Sequence, residues 1–165
     1  MRLNIVLAHP QIPQNTGNAA RTCAATGAGL HLIKPMGFAL DDSKMKRAGL
    51  DYWDKLNVKV YDGFADFFVR TSSGESGISG EYHFFETASA TGEGRVYSDV
   101  LYKDNAYLIF GSEDVGLPKE IIRDYRGQFV QIPMRAGLRS LNLSNSAAIG
   151  VYEVLRQWGF PKLDM

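Results

Sequence analysis

Apolar residues along this chain fall into short runs separated by turn-forming residues, with helical stripes between them. The run at 3–8 (Leu-Asn-Ile-Val-Leu-Ala) is closed by Pro10 and Pro13 and reads as a buried strand. Residues 15–26 are Ala-rich with helical spacing, and Gly27 and Gly29 supply the stop. Further strands are predicted at 30–33, 58–61, 82–87, 107–110 and 129–132. Helices are predicted at 44–48, at 64–69, after Pro118, and at 143–158. The last is the longest, with Ala147, Ala148, Val151, Val154, Leu155 and Trp158 recurring on one face. A Ser/Gly-rich stretch at 71–80 reads as loop. Strands alternating with helices predict an α/β fold with a mostly parallel sheet covered on both faces.

Length and composition narrow this picture. The chain of 165 residues fits one domain over 1–165, with no internal repeat and enough residues for a self-sufficient core. The single cysteine, Cys23, excludes an intrachain disulfide. The start is not signal-like and no apolar run reaches about 18 residues, so a cytoplasmic protein without a membrane segment is expected.

The net charge of zero hides a gradient. Residues 1–50 carry six Lys/Arg against two Asp/Glu, residues 51–130 eight against fourteen, and residues 131–165 four against two. Two basic ends brought together would form a surface for nucleic acid, although a mixed solvated surface fits the same numbers.

The chemistry is narrowed first by what is missing. There is no dinucleotide or P-loop glycine motif and no nucleophile elbow. His9, His31 and His83 show no metal-ligand spacing with Cys23, so no metal is expected. What remains are three polar, Gly-containing segments, each just past a predicted strand, where open α/β sheets place their ligands. They are Asn15-Thr16-Gly17-Asn18-Ala19-Ala20-Arg21, Phe110-Gly111-Ser112-Glu113-Asp114-Val115-Gly116-Leu117-Pro118, and Ile132-Pro133-Met134 followed by Ser140-Leu141-Asn142-Leu143-Ser144. Each has a plain alternative: Asn15 and Ser140–Ser144 as helix caps, Gly111 and Gly116 as turn glycines. Arg21 is harder to place, a lone cation among Ala19, Ala20, Ala24 and Ala25. Either its stem packs and its head reaches solvent, or the head binds an anion.

In order and spacing these segments resemble the three motifs of the SPOUT superfamily of S-adenosylmethionine-dependent RNA methyltransferases. Within it the chain is similar to the short ribose-methylating branch that acts on tRNA. Ile12-Pro13-Gln14-Asn15-Thr16-Gly17-Asn18, Lys34-Pro35-Met36-Gly37-Phe38, Arg47-Ala48-Gly49-Leu50-Asp51-Tyr52 and Val151-Tyr152-Glu153 extend the likeness over nearly the whole length.

The resemblance implies a C-terminal deep trefoil knot, an exception to unknotted topology. It also implies S-adenosyl-L-methionine held there by Glu86, Thr87, Gly111, Gly116, Ile132, Met134, Ser140 and Leu141, leaving S-adenosyl-L-homocysteine as product. The backbone amides of Ile132 and Leu141 would hold the adenine edge. At position 86 the family pattern leads one to expect a small or apolar residue, and a carboxylate needs an outward rotamer or a bond to the ligand. Arg21, Asn142, Ser144 and Asn15 become the catalytic set: Arg21 at the substrate phosphate, supplied across a homodimer, Asn142 or a phosphate oxygen assisting the proton, Asn15 and Ser144 orienting. Glu113 is expected to brace its loop, and Tyr152 to lie at the dimer interface.

The implied substrate is the 2′-OH of the wobble nucleotide, cytidine or uridine 34, in the anticodon stem-loop of tRNA, with leucine tRNAs favoured. Candidate phosphate contacts are Arg2, Lys44, Lys46, Arg47 and Arg139. Alternatives are another RNA such as rRNA, an RNA-binding protein without turnover, and a small-molecule methyltransferase.

Overall fold

In the computed structural model the described residues are 1–39, 56–72, 80–92, 94–161 and 163. The predicted helix at 44–48, with Lys44, Lys46 and Arg47, lies outside them.

Seven strands form one sheet: β1 (Leu3–Ala8), β2 (Gly29–Ile33), β3 (Val58–Tyr61), β4 (Glu81–Phe85), β5 (Arg95–Val96), β6 (Ala106–Phe110) and β7 (Phe129–Gln131). Their spatial order is β3-β2-β1-β6-β4-β7-β5, and every neighbouring pair is parallel. The helices are α1 (Pro13–Thr26), α2 (Phe64–Ser72), α3 (Ala88–Thr91), α4 (Lys119–Asp124) and α5 (Leu143–Gln157). A 3-10 turn occupies Tyr97–Asp99. No helix among the described residues is long and apolar enough to cross a membrane.

Strand alternation builds two cores. Ile5 and Leu7 of β1 and Leu108 and Phe110 of β6 pack under α1 and α5, with Ala19, Ala20, Cys23, Ala147, Val151 and Val154. Val6, Ala8 and Ile109 face the other way, toward Phe67 of α2 and Ile121 of α4. Central strands buried on both faces read as nearly unbroken apolar runs, which is why 3–8 and 107–110 stand out in the sequence. Cys23 sits in the first core with its thiol pushed up to about 12 by burial, a packing residue rather than a nucleophile.

Several boundaries move. Helix α1 starts at Pro13, a residue pre-set for the first helical turn, two positions before the predicted start. Strand β4 stops at Phe85 rather than residue 87, because the Thr87 amide donates to the Glu86 carboxylate and α3 begins at once. Thr71 and Ser72 finish α2 instead of opening a loop; the Thr71 hydroxyl lies 2.8 Å from that of Tyr82. Residues 73–79 are outside the described part. Strand β5, the 3-10 turn and α3 are absent from the sequence reading, since two to four residues carry no period.

The chain runs from β1 outward through β2 to β3, then returns to place β6 between β1 and β4. Connections leaving β1 and β6 therefore diverge, α1 onto one face and α4 onto the other. The crevice at the carboxyl ends of these two strands is where such sheets bind ligands.

Candidate functional site

A cleft of about 440 Å³ opens at the carboxyl ends of β4, β6 and β7, with Ile12 and Asn15 of the segment after β1 on its wall, within the size range of sites that enclose a nucleoside-sized ligand. All eight residues expected around the cofactor line it: Glu86, Thr87, Gly111, Gly116, Ile132, Met134, Ser140 and Leu141. Asn15, Asn142 and Glu113 line it as well. Its apolar wall comes from Phe85, Phe110, Val130, Ile132, Met134 and Leu143.

The loop after β6 closes on itself. Ser112 and Gly116 exchange backbone hydrogen bonds of 3.1 and 3.0 Å. A Cβ at Gly111 would lie 2.2 Å from the Gly116 carbonyl carbon and 2.3 Å from the Leu117 nitrogen. Gly111 is therefore required by contact with backbone, which cannot give way. Gly116 combines a left-handed φ of 71° with a Cβ position only 2.6 Å from Glu86 Oε2.

The Glu86 carboxylate resolves its odd position without pointing outward. Oε1 accepts from the Thr87 amide at 2.8 Å and Oε2 from the Leu117 amide at 3.0 Å. It thus ties the end of β4 to the end of the β6 loop.

A second carboxylate ties the other wall. Glu113 accepts from the Gln11 amide (2.8 Å), the Ile12 amide (3.2 Å) and Asn15 Nδ2 (2.9 Å). The brace expected of Glu113 is thus made to the first segment, not within its own loop. Asn15 sits in the third position of α1, buried, and is not its cap. Asn15 Oδ1 accepts from Asn142 Nδ2 at 2.9 Å. Asn142 caps α5: its Oδ1 accepts from the amides of Ser144 (3.0 Å) and Asn145 (3.2 Å) and from the Ser144 hydroxyl (2.7 Å).

The direction of this relay is set at both ends. A carboxylate can only accept, so Asn15 must turn its NH₂ toward Glu113 and its carbonyl toward Asn142. The helix amides can only donate, so Asn142 must turn its carbonyl toward them and its NH₂ toward Asn15. The two demands agree, and neither amide can flip without setting like groups against each other. Asn142 Oδ1 is consequently filled by three donors, and what Asn142 can still offer a ligand is its second Nδ2 hydrogen.

Two substitutions separate these roles. Asn142→Ala removes the cap and leaves the Ser144 hydroxyl, 5% exposed as a residue, without its acceptor. It is expected to cost about 2 kcal/mol. Asn142→Asp keeps the cap but sets a carboxylate oxygen against Asn15 Oδ1 in place of the donor, so thermal denaturation should place it between the native protein and the alanine variant.

The remaining candidates are more dispersed. Ser144 is buried behind Asn142. Arg21 is exposed on α1 and does not line the cleft. Arg139 reaches over the rim and donates to the Asp114 carbonyl at 2.9 Å, which joins the second segment to the third. Arg2 is exposed at the amino-terminal end of β1, away from the crevice. Tyr152, 49% exposed, stands on α5. Lining residues that the sequence reading passed over include Ile12, Ala90, Ser112, Asp114, Val115 and Ser146. Asp114 and Ser112 lie inside the second polar segment, whereas Ala90 sits on α3, which has no sequence signal.

A profile described as the SpoU rRNA methylase family matches residues 2–152. A Burkholderia ambifaria protein described as a tRNA (cytidine(34)-2′-O)-methyltransferase is 45% identical, the alignment covering 95% of this chain and 96% of that one. A solved structure described as giving insight into 2-OH methylation of C/U34 on tRNA superposes with a TM-score of 0.79 at 39% identity, covering 96% of this chain and 97% of the other. At the level of fold alone, the SpoU methyltransferase AviRb of Streptomyces viridochromogenes, solved with AdoMet, gives a TM-score of 0.80 at 22% identity over 95% of this chain and 58% of its own.

Proposed function

The chain belongs to the SpoU rRNA methylase family, and from that premise we propose that it transfers a methyl group from S-adenosyl-L-methionine to the ribose 2′-OH of nucleotide 34, cytidine or uridine, of cytoplasmic tRNA. Leucine tRNAs are the proposed set. The observation that carries this reading is the three-segment cleft itself, closed by the Glu113–Asn15–Asn142 relay, in a chain that aligns end to end with relatives of that activity.

The residues present suit such a cofactor. Apolar side chains of Ile132 and Leu141 flank backbone that can meet an adenine edge; among the described residues no backbone carbonyl takes the Leu141 amide. The closely packed Gly111–Gly116 backbone and Thr87 are placed for a ribose. Met134 and Ser140 complete the wall. When bound, the cofactor supplies a methyl group already activated on a sulfonium. The protein's task is alignment and removal of one hydroxyl proton.

The hydrogen bonding narrows that task. Glu113 already accepts three N–H groups and Asn142 Oδ1 three donors, so neither is the proton acceptor. Asn142 instead donates to the reacting oxygen or to the adjoining phosphate, and Asn15 and Ser144 hold it in that orientation. A phosphate oxygen of the substrate takes the proton. Arg21 comes from a second copy, across an interface formed by α1 and α5 that includes Tyr152; it positions the phosphate and offsets developing negative charge. Lys44, Lys46, Arg47 and Arg139 are the proposed contacts to phosphates of the anticodon stem-loop. The segment after β7 tucks through an earlier loop, giving the trefoil knot of the SPOUT fold.

The deciding experiment is transfer of labelled methyl to total RNA, tRNA and ribosomal RNA together, from cells lacking the modification, followed by nuclease mapping. Label on the 2′-O of nucleotide 34 is the expected result. Label confined to ribosomal RNA would redirect the substrate, a reading favoured by the family's own description. Cofactor binding without transfer to any RNA would point to a non-catalytic RNA-binding protein. On a sizing column the chain should elute as a dimer at micromolar concentration, and an active monomer would remove the cross-subunit role of Arg21.

A further inference from the structure

Among the described residues the charged lining of the cleft is Glu86, Glu113 and Asp114 against Arg139, an acidic wall in a chain of zero net charge. These groups are not equivalent. Asp114 is held below the usual carboxylate range, first by the Ser112 hydroxyl and also by Arg139, whose guanidinium donates to the Asp114 carbonyl at the same rim. Glu113 spends its acceptor sites on the first segment.

Glu86 is different. Each of its oxygens accepts one backbone N–H, which uses two of roughly four lone-pair sites and fixes the group in the wall. None of the ion pairs among the described residues includes it. It is half-buried, where charge is screened less than on open surface.

We propose that Glu86 makes the cleft select its cofactor by charge, holding the sulfonium form more tightly than the thioether that transfer leaves behind. This rests on the cofactor reading above. In the transfer, the carbon–sulfur bond to the methyl breaks with its electron pair left on sulfur. The 2′-oxygen bonds the methyl, and its proton goes to the phosphate. Sulfur thus passes from a formal charge of +1 to zero, while the wall beside it keeps its carboxylate. A fixed charge on the wall of a cleft of about 440 Å³ lies within on the order of 10 Å of what the cleft encloses, and at that range, with an effective dielectric of about 20–40, one charge corresponds to on the order of tenfold in affinity. The same residue that braces the β6 loop thereby favours release of the spent cofactor.

Calorimetric titration of the whole protein with S-adenosylmethionine, S-adenosylhomocysteine and the amine analogue sinefungin tests this without turnover. The two cations should bind about tenfold more tightly than the thioether in the native protein, and the preference should shrink as salt rises from about 50 to 500 mM. In Glu86→Gln the preference should fall to within about twofold, even if all three ligands weaken together through the disturbed loop. A purely structural role for Glu86 would weaken all three and leave their ratio unchanged; that outcome overturns the proposal. A native protein that binds the thioether as tightly as the cations also overturns it, and this arm needs no variant to fold. Failure of all three ligands to bind would instead overturn the cofactor reading, and the selection with it.

Discussion

Gly111→Ala is expected to destabilise the protein by about 3 kcal/mol and to weaken cofactor binding at least tenfold. A methyl group at this position would meet the Gly116 carbonyl carbon at 2.2 Å, the Leu117 nitrogen at 2.3 Å and the Gly116 oxygen at 2.6 Å. These are backbone atoms, so no rotamer relieves the overlap, and such overpacking costs on the order of 1–3 kcal/mol or more. The only relief is to push residues 116 and 117 away. That movement stretches the Leu117 amide from Glu86 and breaks the paired bonds between Ser112 and Gly116. For a chain of this length, 3 kcal/mol corresponds to a fall in Tm on the order of 10 °C. Thermal denaturation with and without S-adenosylmethionine reads both effects. A variant with native Tm and native affinity would mean that the loop is far more compliant than its hydrogen bonding implies.

Arg21→Ala is expected to leave the fold and the cofactor affinity within about threefold of native and to lower methyl transfer by at least about 100-fold. Arg21 is exposed and absent from the cleft of its own chain, so its removal disturbs neither the relay nor the cofactor wall. A cation that meets the substrate phosphate from a second copy acts on the RNA alone, and loss of one such contact to developing charge costs on the order of 10²–10³ in rate. Single-turnover transfer measured beside calorimetric affinity separates the two quantities. A large loss of cofactor affinity would place Arg21 in the cofactor site, and full activity would leave it as a surface residue. Mixing Arg21→Ala with Asn142→Asp subunits adds a sharper check. Each alone should transfer methyl far more slowly than the native protein, since one lacks the cation and the other the Asn142 donor, and a mixed dimer should regain one working site.

Much of this was legible in the residues. The double-sided burial of β1, β2 and β6 produced continuous apolar runs that mark central parallel strands, and the stripe of Ala147, Val151, Val154 and Leu155 marked the face of α5 that packs on the sheet. Burial of this kind is written locally, in which residues are apolar and how they are spaced. The residue types of the cleft were legible for a related reason: Gly111 and Asn142 are each demanded by local backbone, a close approach in one case and a helix N-terminus in the other.

The sequence by itself determined the alternation of strands and helices and the identity of the three polar segments that line the cleft. Only the tertiary structure decided what those polar groups do to one another. Glu86 reaches an amide 31 positions away, Glu113 accepts from Asn15 across 98 positions, and Asn142 donates to Asn15 across 127. A hydrogen bond depends on distance and direction between two groups, and spacing along the chain carries neither once the partners lie on different strands. The same holds for β5, whose two residues became a strand only because β7 arrived beside them. Hydrophobic burial is a property of one residue and its near neighbours, so the sequence records it; the polarity of a relay belongs to pairs that the fold brings together.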